Sequence, residues 1–583
     1  MTGTVYQTDS LSGPESKADM IATMWNDWNS QRQEWVSEKR ELRKFLFATD
    51  TSKTSVGGLH WKNSTTLPKL TQIRDNLHAN YKAAIFPNDN WLKWEGYSLD
   101  AEVAEKKGAI TSYMQNKTRE SNYITVVDQL LYDYIDYGNA FVETVFVNET
   151  KIDPETGDLI PQYVGPRAVR IHPFDIVFNP LADSFEKSPK IVRKLKNLGE
   201  LKKEAAQQPG NSSLAEAVAK AEELRRMSTS SSKEDTDKWN DIHVDGFGSY
   251  TEYLKSGMIE ILEFEGDFFN TETMELESDR VITIADRAIV LRDEVMPGWL
   301  GSTKVHVGWR RRPENLWAMG PLDNLVGMQY RIDHLENLKA DVFDLIAYPP
   351  LLIRGEVEDF IWAPNSEIHL DENGSVEFLA PPAQALNADN QISQLEMRME
   401  EYAGAPKQAM GIRTPGEKTA FEVQQLQNAA GRIFQNKTNH FEVNLLEKNL
   451  NHMLEVARRN MDMVDTIRVM DDDLGVVQFM SISKDDITAA GKLRPIGSRH
   501  FAAQAQLIQN LTSLFNSPIG QMIAPNVSSK ELTKLVEDAL QLERFKLFSE
   551  NAAMFEQADR QRLSSQIQEQ MFVEQSQPAQ VEQ

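Results

Sequence analysis

Three cations on one short, breaker-rich stretch are the side chains of this protein best suited to meeting a polyanion. Lys407, Arg413 and Lys418 lie in GAPKQAMGIRTPGEK, residues 404–418. Ammonium and guanidinium groups on a loop offer donors to phosphate oxygens, the guanidinium as a planar fork. The bland alternative is an ordinary solvated loop, and on residue types alone that reading comes first. A positive charge at a helix start nevertheless opposes the macrodipole by roughly a few tenths of a kcal/mol, so the placement needs a reason.

Other constellations carry less. Arg310, Arg311 and Arg312 are consecutive; they could touch DNA, but pairing with nearby acids such as Asp323 or Glu314 is the favoured reading. Asp471-Asp472-Asp473 could attract Mg²⁺ or Ca²⁺ but lacks a spaced loop of oxygen ligands, so it reads as a solvated turn. His440 and His452 are not at the four-residue spacing of a helical metal pair and read as packing or interface residues. Trp25, Trp28, Trp35, Trp61, Trp91 and Trp94 read as core or subunit-interface anchors rather than base-stacking platforms. There is no Walker loop, GxSxG or HExxH. With no cysteine in the chain, disulfides and thiolate metal sites are excluded. The expectation is a non-enzyme with no catalytic residue, cofactor or metal.

The loop cations need a mount. Thr414 suits an N-cap, Pro415 the first helical position, and Glu417 completes a capping-box spacing. Apolar residues then recur three or four apart from Phe421 to Leu454, predicting a helix of roughly 40 residues over 416–460 against an average near a dozen. A helix is also expected over 18–48, with Trp28, Trp35, Leu42 and Phe45 on one side. Others are expected over Leu67–Phe86, Tyr123–Tyr137, Pro321–Ile346 and Asn390–Tyr402. Strands are expected at Ala140–Val147, Val169–Phe178, within Met258–Asp293, at Lys304–Trp309 and within Val464–Ser481. Leu351–Leu379 is short, β-like and acidic. Residues 194–254, rich in Ala, Glu, Lys and Ser, read as a peripheral insertion. Helices at His500–Phe515 and Ser529–Glu556 precede a Gln-rich tail.

Bulk composition narrows the classes. The 583 residues are 26% charged and 40% hydrophobic, an ordinary soluble balance. No apolar run reaches about 18 residues, so no membrane span is expected, and the first residues lack the order of a secretory signal. A net charge of −25 argues against a wide phosphate grip. It leaves no nucleic-acid contact, contact through local basic elements, or a repelling wall around a sliding polymer.

The order helix, small β module, helix, basic loop, long helix resembles the core of the portal proteins of tailed bacteriophages. Local signatures resemble the short-tailed branch: Thr66-Leu67-Pro68-Lys69-Leu70, with Asn76 and Asn80 following; Phe86-Pro87-Asn88-Asp89; Tyr137-Gly138-Asn139-Ala140; His172-Pro173-Phe174-Asp175; Gly320-Pro321-Leu322; and Arg413-Thr414-Pro415-Gly416-Glu417-Lys418 through Val423. Their order over 20–515 carries the resemblance. It does not extend to 194–254 or the extreme C-terminus.

The resemblance implies an α+β, predominantly α-helical portal fold of wing, stem, clip and crown, assembled as a ring of twelve copies. Residues 1–17 and 561–583 would be disordered. The wing would span 18–318, the stem helices 319–347 and 389–403, and the clip 348–388. The tunnel loop would be 404–417, the long wing helix and return strands 418–528, and the crown-like helix 529–560. Lys407, Arg413 and Lys418 would face the DNA channel. Glu356, Glu358, Asp359, Glu367, Asp371 and Glu372, with Glu377, would give the clip an acidic partner face. The implied partners are further copies of the chain, double-stranded DNA, terminase, a tail adaptor, and major capsid or scaffolding proteins, with no membrane. The implied location is the capsid vertex, reached from the host cytoplasm. Two readings compete: a non-channel virion protein such as a tail adaptor or internal scaffold, and a metal-dependent nuclease at Asp471.

Overall fold

The computed structural model describes residues 17–47, 63–86, 91–97, 101–152, 159–207, parts of 215–222, 258–296 apart from 271–273, 286 and 288, 301–355 apart from 348, 374–379, 387–404, 433–461, 465–470 and 477–495. The chain divides into two units, Met1–Val464 with Ser483–Pro495, and Asp465–Ile482 with Ile496–Gln583. The described part of the second unit is one hairpin.

Two helices open the first unit where one was expected. α1 (Lys17–Gln31) and α2 (Gln33–Phe47) part at Arg32. That side chain is buried, and its guanidinium donates to the carbonyls of Pro173 (2.8 Å), Ile176 (2.7 Å) and Phe174. The break lets one residue satisfy three buried acceptors that have little other recourse. There follow α3 (Lys69–Ile85), β1 (Leu92–Gly96), α4 (Ala101–Glu120), α5 (Tyr123–Asp136), β2 (Asn139–Ile152), β3 (Leu159–Ile171), β4 (Ile176–Phe178), β5 (Lys190–Asn197) and α6 (Leu198–Gln207). Next come β6 (Met258–Asn270), β7 (Glu275–Ala285), β8 (Ile289–Val295), β9 (Lys304–Gly308), β10 (Arg310–Arg312), β11 (Asn315–Met319) and α7 (Val326–Ala347). The chain then forms β12 (Leu351–Arg354), β13 (Ser375–Phe378) and α8 (Asp389–Ala403). A helix α9 covers 433–460, passing through a π turn at Glu442–Leu446. In the second unit β14 (Asp465–Met470) pairs with β15 (Val477–Ile482), and in the first β16 (Gly491–Pro495) pairs back to β1.

Sixteen strands in six antiparallel sheets among the described residues correct the expected fold class. The fold is mixed α+β rather than predominantly helical, and nothing in the single chain shows a ring. The helical stripes stood out in the sequence because each has one wet face. The strands of a sheet covered on both faces lose that alternation.

The five-stranded sheet, ordered β4-β5-β6-β7-β8, is covered in this way. Along β6, Leu262, Phe264 and Phe268 point to one face and pack under Ala18, Ile21, Trp25 and Trp28 of α1. Ile259 and Ile261 point to the other and pack with Leu201 of α6 and with Val218. The side-chain period of two makes this division obligatory. Lys194–Asn197 complete β5, so the peripheral stretch expected from 194 begins only after the sheet edge.

Glu263 and Glu265 share the Ile259 face of β6, and there they meet the three-stranded sheet β3-β2-β9. Lys304 of β9 is fully buried and its ammonium lies 2.7 Å from Glu263, 2.6 Å from Glu265 and 3.3 Å from Glu143 of β2. Lys194 adds contacts of 2.8 Å to Glu143 and 2.9 Å to Glu263, and Lys190 stands 3.9 Å from Glu265. Burial alone would raise the Glu265 carboxyl, but Lys304 and Lys190 hold it down to about 2. Three lysines against three glutamates make the cluster neutral, the condition under which buried charge is tolerable.

Removing Lys304 leaves three carboxylates around an apolar stem. The Lys304→Met variant is expected to lose roughly 3–5 kcal/mol at pH 8, read as the urea midpoint. In the wild type the depressed Glu265 pKa stabilises the fold above about pH 4.5, and that contribution drains away as pH falls toward 2. In the variant the carboxyls shift upward instead, so its deficit should shrink between pH 8 and pH 5. A deficit independent of pH would mean that the cost is lost packing, not uncompensated charge.

Candidate functional site

Three of the sequence signatures, Thr66–Leu70, Tyr137–Ala140 and Gly320–Leu322, meet at the base of the pair α7 and α8, which the β12–β13 ribbon joins; Pro87–Asp89 and Arg413–Val423 lie outside the described residues. Gly138 follows α5 with φ +71°, and a Cβ there would lie 2.4 Å from the Gly320 nitrogen. A Cβ on Gly320 would lie 2.9 Å from the Ile135 carbonyl oxygen. Two backbones therefore touch where Tyr137-Gly138-Asn139 meets Gly320-Pro321-Leu322, and only glycine fits. Buried Asn139 locks the contact. Its Nδ2 donates to the Tyr137 and Ala318 carbonyls (3.0 and 2.9 Å), while its Oδ1 accepts from Ala318 N (3.0 Å) and faces His306 Nε2 (3.0 Å).

Three further ties hold the same base. Asp323 accepts from Gly320 N at 2.8 Å and pairs with Lys39, which α2 delivers fully buried. The Thr66–Leu70 signature lies against α7: Asp333 Oδ1 accepts from Leu67 N (3.0 Å) and Gln329 Oε1 from Leu70 N (3.1 Å). Lys69 reaches α8 through a buried pair with Glu400 at 2.7 Å. The His172–Asp175 signature is an internal clamp, with Asp175 on Arg193 at 2.6 Å and His172 Nε2 3.3 Å from the Tyr137 hydroxyl. Apart from Asp323, expected to pair with the arginines, none of these side chains stands out by residue type; each needs its distant partner to be recognised.

Away from the base, α7 and α8 are joined by Lys339 to Asp389 at 2.8 Å, and β12 pairs with β13 from Leu351↔Phe378 to Arg354↔Ser375. Large apolar side chains are exposed here among charged ones. Phe343 is 63% exposed and Met397 59%, and Ile346, Ile353 and Leu379 are also exposed; Tyr402, near the base, is 58% exposed. Single exposed apolar residues are ordinary, but several on neighbouring elements are the usual mark of an interaction surface.

Gly404 closes α8 with φ +73°, and a Cβ there would touch the Ile433 side chain at 3.3 Å. The two ends of the segment bearing Lys407, Arg413 and Lys418 therefore meet. Those three residues lie outside the described residues, as do Glu356, Glu358, Asp359, Glu367, Asp371, Glu372 and Asp471–Asp473. Glu377 is described and exposed on β13.

Beside that junction stands the basic run. Arg310, Arg311 and Arg312 are all exposed on β10. The favoured pairing with Asp323 or Glu314 does not form: Asp323 is taken by Lys39, and among the described residues no carboxylate lies within ion-pair distance of the three arginines. Trp309, buried beneath them, donates from its ring nitrogen to the Tyr81 hydroxyl (3.2 Å) and from its backbone to the Gly138 carbonyl (2.8 Å). The Arg310 guanidinium lies 5.1 Å from the Trp309 ring and the Lys437 ammonium 4.5 Å, with Lys437 also donating to the Trp309 carbonyl. Burial, then Arg311 and Lys437, depress the pKa of His440. His440 takes a bond from Asn444 at 2.9 Å on the next turn and sits as a packing residue.

No known family model and no curated protein matches this chain. Among the described residues no cluster of His, Asp or Glu is placed to hold a metal ion, and no helix is long and apolar enough to cross a membrane.

Asp333 offers a direct check of the base. Burial pushes its carboxyl up to about 6, against hydrogen bonds from Leu67 and Gln329 that lower it. A raised carboxyl means that the folded state takes up a proton between pH 6 and 4, so stability should rise as pH falls through that window. Asp333→Asn keeps the acceptor oxygen and removes the titration. Relative to this variant, the wild type is expected to gain about 1–2 kcal/mol between pH 8 and pH 4.5. Parallel pH profiles in urea melts would show that the carboxyl is not held in that environment.

Proposed function

We propose that this chain is the portal, or head-to-tail connector, subunit of a tailed bacteriophage. It is a non-enzymatic protein whose copies surround a channel for double-stranded DNA and present a platform for terminase and tail attachment. One observation carries the reading furthest: a helical pair, fixed at its base by buried polar ties, carries large apolar side chains such as Phe343, Ile353 and Met397 that a single chain leaves in water. Burial of apolar area is worth roughly 25 cal/mol per Å², so such a surface favours a permanent partner. A second copy of the same chain is the occupant the reading requires, stem against stem.

Charge is consistent with the channel. A subunit of net charge −25, repeated around an axis, discourages phosphate from sticking along the wall. A few loop cations then give weak contacts that slip as the polymer moves. Duplex DNA has a persistence length of about 150 bp, so a straight axial passage avoids bending cost.

Light scattering and negative-stain images of the purified chain test the proposal, with rings around a central hole as the expected result. Monomers at every concentration and salt would sink it. The double variant Phe343→Asp with Ile353→Asp should abolish assembly. Both side chains are exposed, so the monomer's unfolding free energy should shift by only about 0.5 kcal/mol per substitution. Intact rings from that variant would remove the stem surface from the interface.

A further inference from the structure

We infer that the β10–β11 hairpin, through Arg310, Arg311 and Arg312 together with Lys437 of α9, contacts the phosphate backbone of duplex DNA, separately from the loop cations. The identity of the polyanion rests on the portal reading; the site rests on geometry.

The first argument is local charge. The chain has 87 acidic and 62 basic residues. Some exposed arginines have found carboxylates, Arg292 at 2.6 Å from Glu294 and Arg494 at 2.8 Å from Glu95; Arg119, Arg331, Arg354 and Arg398 are exposed without one among the described residues, but each stands apart from other arginines in sequence. At β10 and Lys437, four cations stand together with no described carboxylate in reach. Like charges at close range repel, and that cost persists only where something else is served.

The second argument is presentation. Successive side chains of a regular strand point to opposite faces, which would aim Arg311 away from its neighbours. Here Arg310 pairs with Met319 and Arg312 with Asn315, so the extra residues of the irregularity lie on β11, and the ribbon is only two strands wide; all three arginines are exposed. The mount is rigid, because Trp309 is anchored to Tyr81 and Gly138 and carries Lys437 against its ring.

The third argument is chemistry. Guanidinium forks suit phosphate oxygens. Trp309, the aromatic of the patch, is buried and offers no face for a base to stack on. The contact is therefore to the backbone and indifferent to sequence. Lys437 is one helical turn from Ile433, where the segment with Lys407, Arg413 and Lys418 rejoins the described chain. The patch thus stands at the foot of that basic segment. The competing occupant is an acidic face of a second copy.

The test uses the full-length assembled protein and a short labelled duplex, with affinity measured by anisotropy across a KCl series. Arg310→Gln, Arg311→Gln and Arg312→Gln are combined in one variant and the three Arg→Lys changes in another. The glutamine variant should flatten the slope of log affinity against log salt by roughly two to three, equally for two unrelated duplex sequences, with ring yield unchanged. The lysine variant should keep the wild-type slope, since charge is conserved. Rings with an unaltered slope overturn the inference and leave the portal reading standing. Loss of rings in the glutamine variant, with rings retained in the wild type, overturns it in favour of a subunit contact. Failure of the lysine variant overturns it too, because the effect would not be electrostatic. A wild type that forms no ring sinks the portal reading itself.

Discussion

Lys304 is the point on which the two larger sheets are registered. Its ammonium is shared among Glu143, Glu263 and Glu265, which come from two different sheets, and Glu143 and Glu265 are buried. A buried ion loses several kcal/mol of hydration, so the arrangement survives only if every charge has its partner. That requirement ties β2 and β9 to β5 and β6 more specifically than apolar packing would. Hydrophobic contacts tolerate sliding; a lysine among three carboxylates does not. Glu265 is further held by the Ser302 hydroxyl at 2.6 Å and the Thr303 hydroxyl at 2.8 Å, which fixes the entry into β9.

Everything at the candidate site is strung from these strands. β2 begins at Asn139, whose side chain closes the Gly138–Gly320 contact, and β9 runs directly into Trp309 and the arginines. The base of α7 therefore inherits its position from the charge cluster through two short stretches of backbone. α2 adds Lys39 and α3 adds Lys69, each burying a cation against an acid of the base. These ties stand beside an apolar cluster that includes Trp35, Tyr137, Phe141 and Trp317. With the base held by both, the exposed apolar side chains farther along α7 and α8 are not needed to hold the pair in place.

The basic patch and the exposed apolar side chains obey different physics. Apolar burial is short-ranged and permanent, which suits assembly. Arginine–phosphate contact is screened by salt and individually weak, which suits a polymer that must move. A single chain that carries both, a short distance along its own backbone from one shared base, can assemble through one surface and leave the other for its cargo.

The sequence by itself determined the local elements. Three- and four-residue spacing gave α3, α5, α7, α8 and α9, because periodicity needs only near neighbours. It gave β6 to β8 as strands, and it placed the signature glycines without saying what they touch. It did not show the break at Arg32, whose cause lies at Pro173–Ile176. It did not single out α4, whose covered face includes polar Asn116, Lys117 and Thr118. Nor did it give the pairing of β1 with β16 or the fate of the acids on β6. The pairing of Arg310–Arg312 with Asp323 failed because Lys39, remote in sequence, had taken that carboxylate. Partner choice among charges is a competition decided by distance in space, and one-dimensional order carries no record of those distances. Tertiary structure alone could reveal that the Gly138 and Gly320 backbones touch and that all three arginines are exposed with no described carboxylate beside them.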